Sequence, residues 1–273
     1  MPDFEAIMKD FAANSAIAFI DLNQGKLGAL GSGVLVSVGD VRGVLTCGHV
    51  FESIFARDAV GLCIFTNNKT RLQNAQLHKK DIGIYECLYQ GESPEGPDIA
   101  FFEIANPSLF DSLAAATMVF DLIGGKSKYK TVTAGDDKKI YVVPGILGEW
   151  TGTVDFEAGM SLEVEGLSLV VSPRDPRSNK GYDLLTLVPS YDELVSAPAS
   201  YGGLSGSGLW EILVREDRSG DYEFSSRKLS GVVFWEKPEG ENDLIVFCHG
   251  PKSIYELLLP KVIQKIDENS IIA

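Results

Sequence analysis

Positive charge is scarce in this sequence. Its 273 residues carry 24 Lys and Arg against 38 Asp and Glu, a formal net charge of −14. Holding a phosphate backbone requires basic residues in excess, so nucleic acid is not an expected partner, nor is an anionic membrane surface. Long apolar runs are missing too: none approaches the roughly 18 residues a membrane span needs. The opening stretch "MPDFEAIMKDFAANSAIAFI" has no basic segment leading into an apolar run and no small-residue cleavage site, so no secretory signal is expected. Cysteine is sparse, with Cys47, Cys63, Cys87 and Cys248 alone. Their spacing matches no zinc site, and four thiols do not make a disulfide scaffold in a chain of this size. They read as free thiols in a reducing cytoplasm. Histidine is scarcer still. Any chemistry that needs an imidazole must draw on His49, His78 or His249.

Apolar residues are plentiful, at 45% of the chain, enough to build a real core. They fall mostly in short runs. "GVLVSVGDVRGVLTCGHV" reads as strand, turn at Gly39-Asp40, strand. "GLCIFTNNKTRLQNAQLHKK" reads as a second pair turning near Asn67-Asn68, and "DIAFFEI" as a buried strand. "DKKIYVVPGILGEWTGTVDF", "MSLEVEGLSLVVSP", "GLWEILV" and "LSGVVFWE" keep the same rhythm. Many short strands with Gly and Asn turns predict sandwich or barrel packing. Two segments differ. "PRDPRSNKGYD", residues 173–183, reads as a long exposed loop. "SIYELLLPKVIQKIDENS" reads as a helix opened by a Ser253/Glu256 capping box and kinked or restarted at Pro260. A further short helix, with Phe4, Ile7, Met8 and Phe11 on one face, is expected at the N-terminus.

The stretch "YGGLSGSGLW", residues 201–210, crowds glycine and serine into one turn. A serine hydroxyl is a weak nucleophile unless a base takes its proton and donors stabilise the oxyanion that forms. His49 follows a strand in "VLTCGHV", Asp98 opens the strand "DIAFFEI", and Ser205 lies in "GLSGSG". Asp81, Ser207 and His249 are the rivals for these three places. The order His, Asp, Ser is that of the chymotrypsin-like layout.

With these motifs in hand, the chain resembles a trypsin-like (chymotrypsin-fold) serine peptidase, of the intracellular kind bacteria keep without a cleavable pro-segment. "GSGVLVSVGDVRGVLTCGHV" resembles the family's first hairpin and histidine turn. "DIAFFEI" resembles its aspartate strand, "GLSGSG" its nucleophile turn, and "SGVVFWE" the strand that pairs with substrate. The match runs in order from about residue 30 to 260.

The resemblance implies an all-β fold of two packed six-stranded antiparallel β-barrels. The N-terminal helix would span 1–14, the first barrel 15–115, a linker 116–124, the second barrel 125–250 and a C-terminal helix 251–273. It implies Ser205 as nucleophile, His49 as general base and then acid, and Asp98 as the group orienting the imidazole. The N–H groups of Gly203 and Ser205 would form the oxyanion hole. Ala199, Phe234, Trp235, Glu236 and Phe247 would border the substrate. No cofactor or metal is implied. Expected partners are a protein or peptide substrate and a regulatory protein, with no nucleic acid and no membrane. The implied activity is endopeptidase cleavage through an acyl-enzyme. The alternative is a catalytically silent member that binds peptide. Two departures matter. Leu204 stands where a zymogen would carry an aspartate for a freed N-terminus, so activation by N-terminal cleavage is not expected. Ala199 stands where trypsin carries its pocket aspartate, which points to a small or apolar side chain before the scissile bond.

Overall fold

The computed structural model describes residues 11, 14–22, 28–64, 75–91, 93–130, 138–156, 159–190, 198–216, 222–239 and 243–272. The expected N-terminal helix, but for Phe11 and Asn14, and the turn near Asn67-Asn68 lie outside them. The N-terminal half forms β1 (Ile17–Asp21), β2 (Gly28–Val38), β3 (Val41–Thr46), β4 (Ala59–Ile64), β5 (Ala75–His78), β6 (Ile82–Tyr89), β7 (Asp98–Ile104) and β8 (Phe120–Asp121). The C-terminal half forms β9 (Lys138–Phe156), β10 (Gly159–Asn179), β11 (Tyr182–Ser190), β12 (Gly208–Glu216), β13 (Tyr222–Glu239) and β14 (Asp243–His249).

The second set closes into a six-stranded barrel in the order β10-β11-β14-β13-β12-β9. The first set corrects the expectation of a second closed barrel. It is an eight-stranded sheet in the order β5-β4-β1-β2-β3-β7-β6, with β8 parallel to β2. Its edge strands β5 and β6 are joined only by the short turn Lys79–Asp81, so the sheet must curl to bring those two strand ends together. No ladder pairs them: β5 is four residues long, and β6 is irregular between Ile82 and Tyr85. β8, which pairs with β2, falls within the stretch 116–124 expected as a linker.

Local chemistry explains most of the rest. The β2–β3 turn is Gly39-Asp40, with Gly39 at φ 61°, a conformation that favours glycine at the first position of a two-residue hairpin loop. The expected loop at 173–183 is instead a hairpin between β10 and β11. Its tip, Lys180-Gly181, has φ values of 49° and 89°, the pattern of a type I′ turn. Asp175, at φ 47°, sits where the register shifts between Arg174 and Arg177, so a bulge absorbs Pro176. The tip is also tied down, since Asn179 Nδ2 donates to the Glu95 carbonyl at 3.1 Å.

The expected capping box at Ser253 is not formed. Asp183, on β11, accepts from the backbone N–H groups of Lys252 at 2.9 Å and Ser253 at 2.7 Å, and from the Ser253 hydroxyl at 2.6 Å. A wide turn at Ser253–Leu258 then leads into the helix Leu259–Ile272. Pro260, which lacks an N–H, follows that turn without breaking the helix. One large core, including Phe19, Phe51, Phe102, Trp210, Phe234 and Tyr255, draws on both halves. A smaller one, including Leu204, Val233 and Val246, fills the closed barrel. Among the described residues no helix is long and apolar enough to cross a membrane.

Candidate active site

β3 ends at Thr46, and the chain turns at once into the helix Gly48–Phe55, which puts His49 in its first turn. Gly48 is required there, since a Cβ would lie 2.6 Å from the Tyr89 Cβ and 3.1 Å from Asp98 Oδ1. That closeness lets both carboxylate oxygens of Asp98 grip His49. Oδ2 lies 2.7 Å from His49 Nδ1, and Oδ1 accepts from the His49 backbone N–H at 2.9 Å. Asp98 is fully buried, whereas the His49 side chain is 26% exposed, so the ring keeps one face open. The rival Asp81 is elsewhere. It accepts from the His78 N–H and from Asn106 at the turn between β5 and β6.

His49 and Ser205 line the same cavity, of about 340 Å³. Such a volume suits a side chain or small ligand. Ser207 does not reach it. Its hydroxyl is buried and has no hydrogen-bond partner among the described residues. No hydrogen bond joins Ser205 to the His49 ring in this arrangement.

The turn bearing Ser205 is fixed from several sides. The carbonyls of Gly202, Gly203, Leu204 and Ser205 accept, respectively, from Gly148 N–H at 2.6 Å, Ser32 Oγ at 2.7 Å, Ser207 N–H at 2.8 Å and Ser32 N–H at 2.7 Å. Ser32 is buried on β2, and its own carbonyl accepts from Thr46 Oγ1 at 2.7 Å. The first sheet therefore holds the serine turn through one residue. Gly203 and Gly206 have φ of 101° and 89°, and a Cβ on Gly206 would collide with the Ser32 carbonyl and Thr46 Oγ1. The N–H groups of Gly203 and Ser205 have no protein acceptor among the described residues, whereas those of Leu204, Gly206 and Ser207 do. Leu204 is buried in the small core, where it can take no ion pair.

Of the expected substrate residues, Phe234, Trp235 and Glu236 line the cavity, and Ala199 and Phe247 do not. Phe247 turns to the other face of β14, under the Arg177 guanidinium at 4.9 Å. Its neighbour Val246 lines the cavity instead, as strand alternation requires. Tyr201, Gly202 and Val233 complete the wall and were not anticipated. Four consecutive residues, Val233 to Glu236, reach one cavity because the register of β13 shifts between Val233 and Trp235. Beyond that bulge, Trp235–Glu239 pairs with β14 on one side and with no strand on the other among the described residues.

Two buried groups adjoin the site. His249 Nε2 accepts the Asp98 N–H at 3.0 Å, and its ring stacks on Phe234 with centroids 4.5 Å apart. Burial lowers its pKa from 6.5 to about 3, so it is held neutral. Cys47 Sγ lies 3.6 Å from His49 Nδ1. Cys47, His49 and Asp98 are the one trio compact enough to hold a metal among the described residues. Ligation needs a thiolate, and burial, with the Asp98 charge adding to it, pushes the Cys47 thiol well up. Asp98 is already committed to His49, so the donor set suits an ion poorly.

No protein-family model and no curated protein matches the chain. Among solved structures it is similar to the active form of the Rv3671c protease from M. tuberculosis, with 15% identity, 94% of this chain and 86% of that chain covered, and a TM-score of 0.44.

Proposed function

We propose that the chain is a serine endopeptidase in which Ser205, His49 and Asp98 act as a triad. The observation that carries the reading is the two-point grip of Asp98 on His49 beside a cavity that Ser205 shares. An aspartate on Nδ1 fixes the tautomer in which Nε2 is free to accept a proton. Ser205 Oγ attacks the scissile carbonyl carbon as His49 Nε2 takes its proton. The carbonyl oxygen becomes an oxyanion and accepts from the Gly203 and Ser205 N–H groups. His49 then passes the proton to the departing amine, leaving an ester on Ser205. Water, deprotonated by the same Nε2, hydrolyses the ester and restores the serine.

The one-sided edge at Trp235–Glu239 favours a polypeptide substrate, which can add to it as a strand beside the cavity. The Ser205–His49 bond is open at rest, and such bonds often close only with substrate in place. That same gap favours the second reading, a silent module that binds peptide on this edge. All four cysteines are free, which fits the cytoplasmic location proposed for the chain. The test is a fluorophosphonate probe, which requires an activated serine. The peptidase reading expects adduct on Ser205 alone, with none in Ser205→Ala or His49→Ala. Peptide binding with no adduct would establish the silent module.

A further inference from the structure

The cavity beside Ser205 has apolar walls and one charge built into its rim. Val233, Phe234, Trp235 and Val246 supply the walls. Glu236 lines the same space, half-buried. Its Oε1 accepts from the Ser200 hydroxyl at 2.7 Å, and its Oε2 accepts from the Tyr201 backbone N–H. Both donors are neutral. They orient the carboxylate and leave each oxygen with capacity to accept again. No lysine or arginine pairs with Glu236 among the described residues. The adjacent Lys237 turns away, its Nζ 5.8 Å from the centre of the Phe247 ring.

A carboxylate held at a partly closed cavity without a counter-charge attracts a cation more strongly than one in open water. We propose that Glu236 makes this cavity select a lysine or arginine side chain at the substrate position before the scissile bond. The methylene stem would lie on the apolar walls while the cationic head reaches Glu236. A small side chain would leave the cavity unfilled, and an acidic one would meet like charge. The selection opposes the preference that Ala199 implied. The charge comes from β13, not from the segment ahead of the serine. The inference rests on the peptidase reading for the word substrate, but not for the chemistry of the cavity.

The test therefore reads binding without catalysis. Benzamidine, a flat cation, and benzamide, its neutral counterpart, are titrated calorimetrically into the full-length protein and into Glu236→Gln. Benzamidine is expected to bind the unaltered protein roughly ten- to a hundredfold more tightly than benzamide, the range of a charge-assisted hydrogen bond. Glu236→Gln, whose amide oxygen can still accept from Tyr201, should bring the two together. Equal binding of the two ligands by the unaltered protein, or no benzamidine binding, overturns the proposal whether or not the variant folds. Fluorophosphonate labelling is scored in parallel. Benzamidine selectivity without labelling removes the peptidase reading and keeps the cationic site. Labelling without selectivity does the reverse.

Discussion

Replacing Asp98 by asparagine tests the grip on His49 with little change in shape. In the native site two His49 donors face two carboxylate oxygens, backbone N–H to Oδ1 at 2.9 Å and ring Nδ1 to Oδ2 at 2.7 Å. An asparagine has one oxygen and one NH₂. The backbone N–H can only donate, so it claims the oxygen. The NH₂ then faces Nδ1 and donates to it, which makes Nδ1 the acceptor and moves the ring proton to Nε2. A nitrogen carrying that proton cannot take another from Ser205. Reversing the amide instead sets a donor against the backbone N–H in a buried place, at a cost of about 1–3 kcal/mol. Acylation should therefore fall about 10⁴-fold, the scale for a wrong tautomer in a triad. The assay is the second-order rate of fluorophosphonate labelling, with near-ultraviolet circular dichroism to confirm the fold. A folded Asp98→Asn protein labelled within tenfold of the native rate would refute the tautomer argument.

Other consequences follow from the groups around the site. Ser32→Ala removes the hydroxyl bond to the Gly203 carbonyl but keeps the N–H bond to Ser205. An orphaned buried acceptor costs about 1–3 kcal/mol, so labelling should slow by roughly five- to a hundredfold, and an unchanged rate would show that the turn holds itself. His249 is neutral in the fold down to about pH 3 but gains a proton in the unfolded chain below its ordinary 6.5, so its share of stability is present above 6.5 and lost as pH falls toward 3. The slope from this one group is at most about 1.4 kcal/mol per pH unit, and Glu or Asp titration is set aside by comparing urea midpoints with His249→Gln, which should show the shallower decline. Cys47, buried with its thiol pushed up, should resist iodoacetamide in the native protein and react after unfolding, which peptide mapping will read. Ready native modification would contradict that burial.

The strands were legible where a local rule was strong. The run of β7, apolar but for Asp98 and Glu103, and the Gly39-Asp40 hairpin fall where the residues put them. The 173–183 segment was not, because polarity and two prolines mask a pairing with β11 that only the partner strand supplies. That the first sheet curls without closing was equally hidden, since whether its edge strands β5 and β6 pair is a long-range matter. At the site, the meeting of His49 with Asp98 and the exclusion of Asp81 and Ser207 come from packing that no local pattern encodes. Phe247 missed the cavity by one residue because strand alternation sends it the other way. Val233 was unseen because a bulge breaks that alternation. Ser32 carries no sequence signal beyond a glycine on either side, yet it ties the first sheet to the serine turn.

The most direct test of the account is to trap the covalent intermediate. Full-length protein is mixed with p-nitrophenyl acetate, quenched in acid, digested and mapped by mass spectrometry. The account predicts an acetyl ester on Ser205, formed with a burst of nitrophenol and absent from Ser205→Ala and His49→Ala. An ester on Ser207, a burst that survives Ser205→Ala, or no covalent species would contradict it.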